Sequence, residues 1–169
     1  VEQYVVRHES LTDRPAVRVV NEAAFDTNAE ADLVDALREN GKFALSLVAE
    51  ADGAVVGHIL FTDIEIEPGG RESGIAGLAP MAVLPAWQGK GVGSALVRHG
   101  LKACAELGYR AAVVLGAPAF YGRFGFVPAR EYGITSEYPD AGDAFMAVQL
   151  RDAAVPHGRA CYQPEFGRL

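Results

Sequence analysis

The stretch that decides the fold runs from Leu78 to Leu107, LAPMAVLPAWQGKGVGSALVRHGLKACAEL. Its apolar start, Leu78 to Leu84, reads as a strand that ends at Pro85. A glycine-rich turn follows, Gln88-Gly89-Lys90-Gly91-Val92-Gly93, and then a helical pattern begins. A strand that passes through a backbone-exposed loop into a helix points several N–H groups at one spot, where an anionic group can sit. Glycines in such a loop let the main chain approach a ligand closely or take positive φ.

Several glycine-loop patterns compete for this stretch. A dinucleotide fingerprint needs G-x-G-x-x-G, but Ser94 or Leu96 stands where its third glycine belongs. The phosphate-loop string G-x-x-x-x-G-K-[ST] occurs nowhere in the chain. The remaining pattern, Gln88-x-x-Gly91-x-Gly93 directly after a strand, resembles the pyrophosphate-binding motif of the GNAT superfamily of N-acetyltransferases. The bland alternative is a plain strand-to-helix turn. A second segment, Phe120-Tyr121-x-x-Phe124-Gly125-Phe126, resembles the tyrosine-bearing short helix and "GF" pair of the same family, in its order and at its usual separation. The combination looks most like the YhbS-type branch. The resemblance is weak along most of the chain and strong from about Gly77 to Val127.

The resemblance implies an α/β fold: a mixed, mostly antiparallel sheet, splayed between its fourth and fifth strands, with helices on both faces. It implies one acetyltransferase domain over residues 1–169. Acetyl-CoA would lie in the splay. Its pyrophosphate would meet Gln88, Gly89, Lys90, Gly91, Val92, Gly93 and Ser94, and its pantetheine arm the backbone near Met81, Ala82 and Val83. Tyr121 and Phe124 would complete the cofactor side. The implied reaction is direct attack of a primary amine, carried by a small molecule, on the thioester. A non-catalytic acyl-CoA-binding or sensing domain on the same fold is the rival reading, because a fold does not fix its function. A nucleotide-binding α/β domain is the second.

The composition is ordinary for a soluble globular protein. At 169 residues the chain is long enough for one domain with a sizeable core. Half of it is hydrophobic, yet no apolar run approaches the about 18 residues of a membrane span. The opening VEQYVVRHES lacks the basic-then-apolar layout of a signal peptide, so the expected compartment is the cytoplasm. A net charge of −7 argues against a general nucleic-acid partner and favours a cationic acceptor. Two cysteines, Cys104 and Cys161, are too few for a disulfide framework or a metal site, and Cys104 falls on a helical pattern as a core residue would. The oligomeric state is left open, a homodimer included.

Taken in order, Gln3 to Arg7 reads as a first strand. Leu11 to Phe25 reads as a helix, with Thr12 or Asp13 as its cap and Pro15 in its first turn. Ala29 to Glu39 reads as a second helix stopped by Gly41. Leu45 to Ala49 is a strand, and Asp52-Gly53 is the strongest hairpin signal. Ala54 to Ile66 is expected as one long second arm, Pro68-Gly69-Gly70 as a turn, and Gly74 to Leu84 as the third member of a meander. After the glycine loop, Arg98, Lys102 and Glu106 mark a solvated helix face, and Val97, Leu101 and Cys104 a buried one. Ala111 to Leu115 suits a strand covered on both faces, parallel to its predecessor. A helical turn at Pro118 to Tyr121, strands at Phe126-Val127 and Ala144 to Arg151, and an edge strand in the tail from His157 to Leu169 complete the reading.

Acyl transfer from a thioester needs a neutral amine, a polarised carbonyl and a stabilised leaving thiolate. Backbone N–H groups of the fourth strand can serve the carbonyl. Tyr121 is the candidate acid, since a phenol can hydrogen-bond or protonate a thiolate. The base is open. The strand Leu78 to Leu84 holds no titratable residue, which leaves Glu22, His58, Glu65, Glu67 or a chain of waters. The loops around the first two helices, and near Pro68 to Ser73, are expected to line the acceptor pocket.

Overall fold

The first strand, β1 (Val5–His8), pairs antiparallel with β2 (Phe43–Ala51). Between them lie α1 (Arg14–Phe25) and α2 (Ala29–Glu39), which pack on each other. A 3₁₀ turn, Leu11–Asp13, precedes α1, so the regular helix starts three residues later than its apolar pattern. Asp13 is the reason: its carboxylate accepts the Ser10 N–H at 2.7 Å and the Arg7 guanidinium at 2.7 Å, which fixes the turn before the helix. Arg18 of α1 reaches Asp32 at 2.8 Å and Asp35 at 2.7 Å on α2. The structure is a computed structural model that describes residues 3–68 and 73–169. The expected turn at Gly69-Gly70, and the loop residues 69–72 beside it, lie outside the described residues.

The hairpin at Asp52-Gly53 forms with φ of +51° and +79°, the conformation such a turn demands. It leads into β3 (Ala54–Asp63). Here the expectation of one long arm fails. The chain leaves the strand at Ile64, and Ile66 belongs to a separate short strand, β4 (Glu65–Glu67). The next strand is β5 (Ile75–Val83), with a cis bond at Ala79-Pro80. Then come α3 (Val92–Glu106), β6 (Ala111–Leu115), the single turn α4 (Pro118–Tyr121), β7 (Val127–Pro128), β8 (Ile134–Ser136), β9 (Phe145–Gln149) and β10 (Gly158–Cys161).

These elements fall into two compact units. The first comprises Val1–Phe61, Ala79–Gly100 and Pro164–Leu169. Its strands follow the order β1-β2-β3-β5. The first part of α3 seats closely on β3: a Cβ on Gly57 would meet Val92 Cγ1 at 2.9 Å and Leu96 Cδ1 at 3.0 Å, and one on Gly100 would run into the Phe61 ring. Close helix–strand packing therefore depends on these two glycines. The C-terminal turn is tied to the end of α2 by Glu165, which accepts from Asn40 at 2.7 Å and Lys42 at 3.2 Å.

The second unit comprises Thr62–Leu78 and Leu101–Gln163. Its strands run β5-β6-β9-β7. The β5–β6 pair is parallel, from Ile75↔Ala111 to Leu78↔Val114, as the strand–helix–strand pattern requires, and β9 is antiparallel to both β6 and β7. Ala111 to Val114 are fully covered, which matches their unbroken apolar run. A second sheet, β4-β10-β8, corrects the reading of the tail: β10 is its central strand rather than an edge, antiparallel to β4 and parallel to β8. Cys104 is buried, and burial pushes its thiol up to about 12. Among the described residues no helix is long and apolar enough to cross a membrane.

Candidate active site

The glycine loop is built from two constraints. Pro85–Trp87 form a 3₁₀ turn after β5, with the Trp87 N–H on the Leu84 carbonyl at 2.8 Å. Gly89 and Gly91 then take φ of +73° and +86°. L side chains disfavour that region, so the glycines are what permit this path into α3. The Gly91 carbonyl accepts the Ala95 N–H at 3.0 Å and so closes the first helical turn. The N–H groups of that turn have no partner within an α-helix and form its positive end.

Gln88, though exposed, bends back onto the strand: its Nε2 donates to the Val83 carbonyl at 3.0 Å and ties the loop to the end of β5. Lys90 is exposed, its Nζ over the Trp87 ring at 5.5 Å from the centroid. Val92 and Ser94 are buried, Gly93 half-buried. Along β5, Met81 and Val83 are half-buried on one face and Ala82 is buried on the other. The residues expected to hold the pantetheine and pyrophosphate thus come together within the first unit.

Tyr121 and Phe124 belong to the second unit, where Phe120 joins them. Its ring lies edge-on to Tyr121 at 4.9 Å and to Phe124 at 5.3 Å. Phe126 closes on Tyr121 at 5.6 Å, and Gly116 leaves the room that the tyrosine ring occupies. Burial pushes the Tyr121 hydroxyl up to about 12. Arg123 stands over the Phe120 and Phe124 rings, 5.4 Å from each centroid.

His58 lies at the centre of a buried polar chain in the first unit. Asn21 Nδ2 reaches its Nδ1 at 3.2 Å and Ser46 Oγ its Nε2 at 3.0 Å. Because an amide nitrogen donates, Nδ1 accepts and Nε2 carries the proton toward Ser46. Both ring nitrogens of His58 are thus engaged, and the residue has no exposed surface through which to meet an acceptor amine. The chain continues to Glu9, whose carboxylate is held below its usual range by Arg38 through two 2.7 Å bonds, against the upward push of burial.

Burial lowers His58 to about 4, with Glu9 opposing and Arg38 assisting. The unfolded chain therefore takes up this proton first, near pH 6.5. The stabilisation is complete above that value and is lost as pH falls toward 4. Folding stability should drop by roughly 2–3 kcal/mol between pH 7 and 4.5. Urea titrations at both pH values should show a smaller drop in His58→Gln. An unchanged drop would place the proton uptake elsewhere.

The other base candidates are also engaged. Glu22 lies 3.7 Å from Arg18 on α1, and Glu67 pairs with Arg159 at 3.3 Å. Glu65 is half-buried on β4, opposite Cys161. Among the described residues no group of three His, Cys, Asp or Glu side chains is placed to hold a metal ion.

The model of the acetyltransferase (GNAT) family matches residues 8–126. This chain belongs to the GNAT family. It is 37% identical over 168 residues to the uncharacterized N-acetyltransferase YhbS of Escherichia coli, covering 98% of this chain and 99% of that one. The GNAT fold is equally plain in three dimensions. The crystal structure of E. coli YhbS in complex with CoA matches with a TM-score of 0.93 at 35% identity, over 99% of this chain and 93% of that one. A GNAT acetyltransferase from Brucella melitensis in complex with acetyl-CoA matches with a TM-score of 0.82 at 37% identity, over 98% and 99% of the two chains.

Proposed function

We propose that this GNAT protein is an acetyl-CoA-dependent N-acetyltransferase whose acceptor is a primary amine on a small molecule. The observation that carries the reading is the start of α3, where positive-φ Gly89 and Gly91 leave a bare backbone path into a helix N-terminus. Pyrophosphate oxygens there gain charge-assisted N–H bonds from the stretch Gly89 to Ser94. Gln88 holds the loop in place, Lys90 adds positive charge, and Met81 to Val83 offer main-chain groups to the pantetheine arm. Phe124 contributes an apolar face to the cofactor. The whole chain, residues 1–169, acts as one acetyltransferase domain in the cytoplasm, and β5 and α3 each run through both units.

In the reaction the neutral amine attacks the thioester carbon. The C–N bond forms, the C–S bond breaks, and the sulfur leaves with the electron pair. Tyr121 serves the departing sulfur. A hydroxyl near 12 faces a thiol whose ordinary value is about 8.5, so complete proton transfer is uphill by roughly 5 kcal/mol. Tyr121 therefore acts chiefly as a hydrogen-bond donor while charge develops on sulfur. Water carries the amine's surplus proton to the thiolate, and the products are the amide and free CoA thiol.

The test has two arms. Acetyl-CoA should raise the melting temperature by mass action on the folded state. With acetyl-CoA and a panel of amines, thiol should then be released continuously. Heat protection without thiol release from any amine would make the protein an acyl-CoA-binding domain instead. A nucleotide that protects the protein and cannot be displaced by CoA would overturn both.

A further inference from the structure

The second unit gathers a carboxylate and two phenols that the roles above do not use. Glu137 stands just past β8 and Tyr162 just past β10, and the parallel register that sets Ala160 opposite Ser136 brings these strand ends side by side. The Tyr162 N–H donates to the Glu137 carboxylate at 2.9 Å. Next to Glu137 in the chain is Tyr138, 39% exposed, its ring 6.3 Å from that of Tyr162 and tilted by 39°. Burial raises both hydroxyls, and the Glu137 charge raises them further. Tyr162 also feels Tyr121, which puts the cluster within electrostatic reach of the group that serves the sulfur.

The chemistry of this corner suits a cation. Arg159, which feels the Glu137 charge, forms its ion pair from β10 with Glu67 of β4 at 3.3 Å. Glu67, one of the candidate bases, is committed to that pair. Glu137, half-buried, forms no ion pair among the described residues. A carboxylate flanked by aromatic rings holds an ammonium group twice over, through its charge and through the ring faces.

We propose that Glu137, with the rings of Tyr138 and Tyr162, binds a second positive charge on the acceptor, so that the preferred substrate is a small diamine or related polycationic amine. This rests on the acetyltransferase reading. The attacking nitrogen must be neutral, so the nitrogen paired with Glu137 is a different one on the same molecule. The charged nitrogen keeps its protons throughout. The attacking nitrogen loses one, which ends on the CoA thiol.

The experiment compares thiol release with n-butylamine and 1,4-diaminobutane, at one acetyl-CoA concentration, for the parent, Glu137→Gln and Glu137→Asp. The parent should favour the diamine by roughly tenfold in kcat/KM, through KM, and less so in high salt. Glu137→Gln can still accept the Tyr162 N–H, so it should fold and keep its heat protection by acetyl-CoA, while its diamine-to-monoamine ratio falls toward one. Glu137→Asp should restore part of the ratio, and Tyr138→Leu should lower it. A parent without the preference, or a ratio that survives Glu137→Gln, overturns the assignment. A parent that acetyl-CoA fails to protect overturns the acetyltransferase reading instead.

Discussion

Gly91→Glu should bind acetyl-CoA at least tenfold more weakly than the parent, and most of the heat protection by the cofactor should be lost. Two effects combine at this position. Gly91 sits at φ +86°, and a Cβ there would meet the Tyr4 hydroxyl at 3.2 Å. Any side chain pays roughly 1–2 kcal/mol for the left-handed backbone. The larger effect is charge. A carboxylate about 4 Å from a phosphate costs on the order of 4 kcal/mol at a surface-like dielectric, and even half of that exceeds tenfold in affinity. Gly91→Ala separates the two, since it carries the backbone strain without the charge. It should melt lower than the parent and keep most of its affinity. Isothermal titration of both variants with CoA decides the matter. If Gly91→Glu binds as the parent does, this loop is not the pyrophosphate site; if Gly91→Ala loses as much as Gly91→Glu, backbone shape and not charge governs the loop.

What could be read from the sequence was what depends on near neighbours. The boundaries of α2 at Ala29 and Glu39, the Asp52-Gly53 turn and the stop of α3 at Gly108, with φ +100°, follow from helical period and turn chemistry. The glycine loop was legible for the same reason, since its backbone demand falls on consecutive residues. Alternation from Phe61 to Ile66 correctly signals extended chain, but it does not name the partner. Ile64 donates to the Ile75 carbonyl at 3.0 Å, and β4 then pairs with β10, almost a hundred residues on. His58 shows the same limit. A lone strand histidine can be placed only by its partners, Asn21 and Ser46, which stand 37 and 12 residues away. Gly57 and Gly100 give no local sign that Val92, Leu96 and Phe61 will lean on them. Glu137 and Tyr162 sit in loop sequence with no motif, and only the β8–β10 register makes them neighbours.

Tyr121→Phe should fold and melt almost as the parent does, yet turn over roughly 10²–10³ times more slowly. The ring remains, and with it the edge-on contacts to Phe120 at 4.9 Å and Phe126 at 5.6 Å. Only a hydroxyl is removed. In the bound thioester the sulfur is a weak acceptor, whereas after the tetrahedral intermediate collapses it carries developing negative charge. A donor at this point therefore stabilises the transition state far more than the ground state, and its loss falls on kcat with little change in acetyl-CoA affinity. Because burial pushes the hydroxyl up to about 12, it stays protonated across the working range. Removing it should thus lower the pH–rate profile without deleting a limb between pH 6 and 10. The defect should shrink with an acyl donor whose thiol is more acidic, since that sulfur leaves with less help. Steady-state rates with acetyl-CoA and with such a donor, for parent and variant side by side, make the comparison. Unchanged kcat would remove Tyr121 from the chemistry, and a defect confined to acetyl-CoA affinity would make it a binding residue.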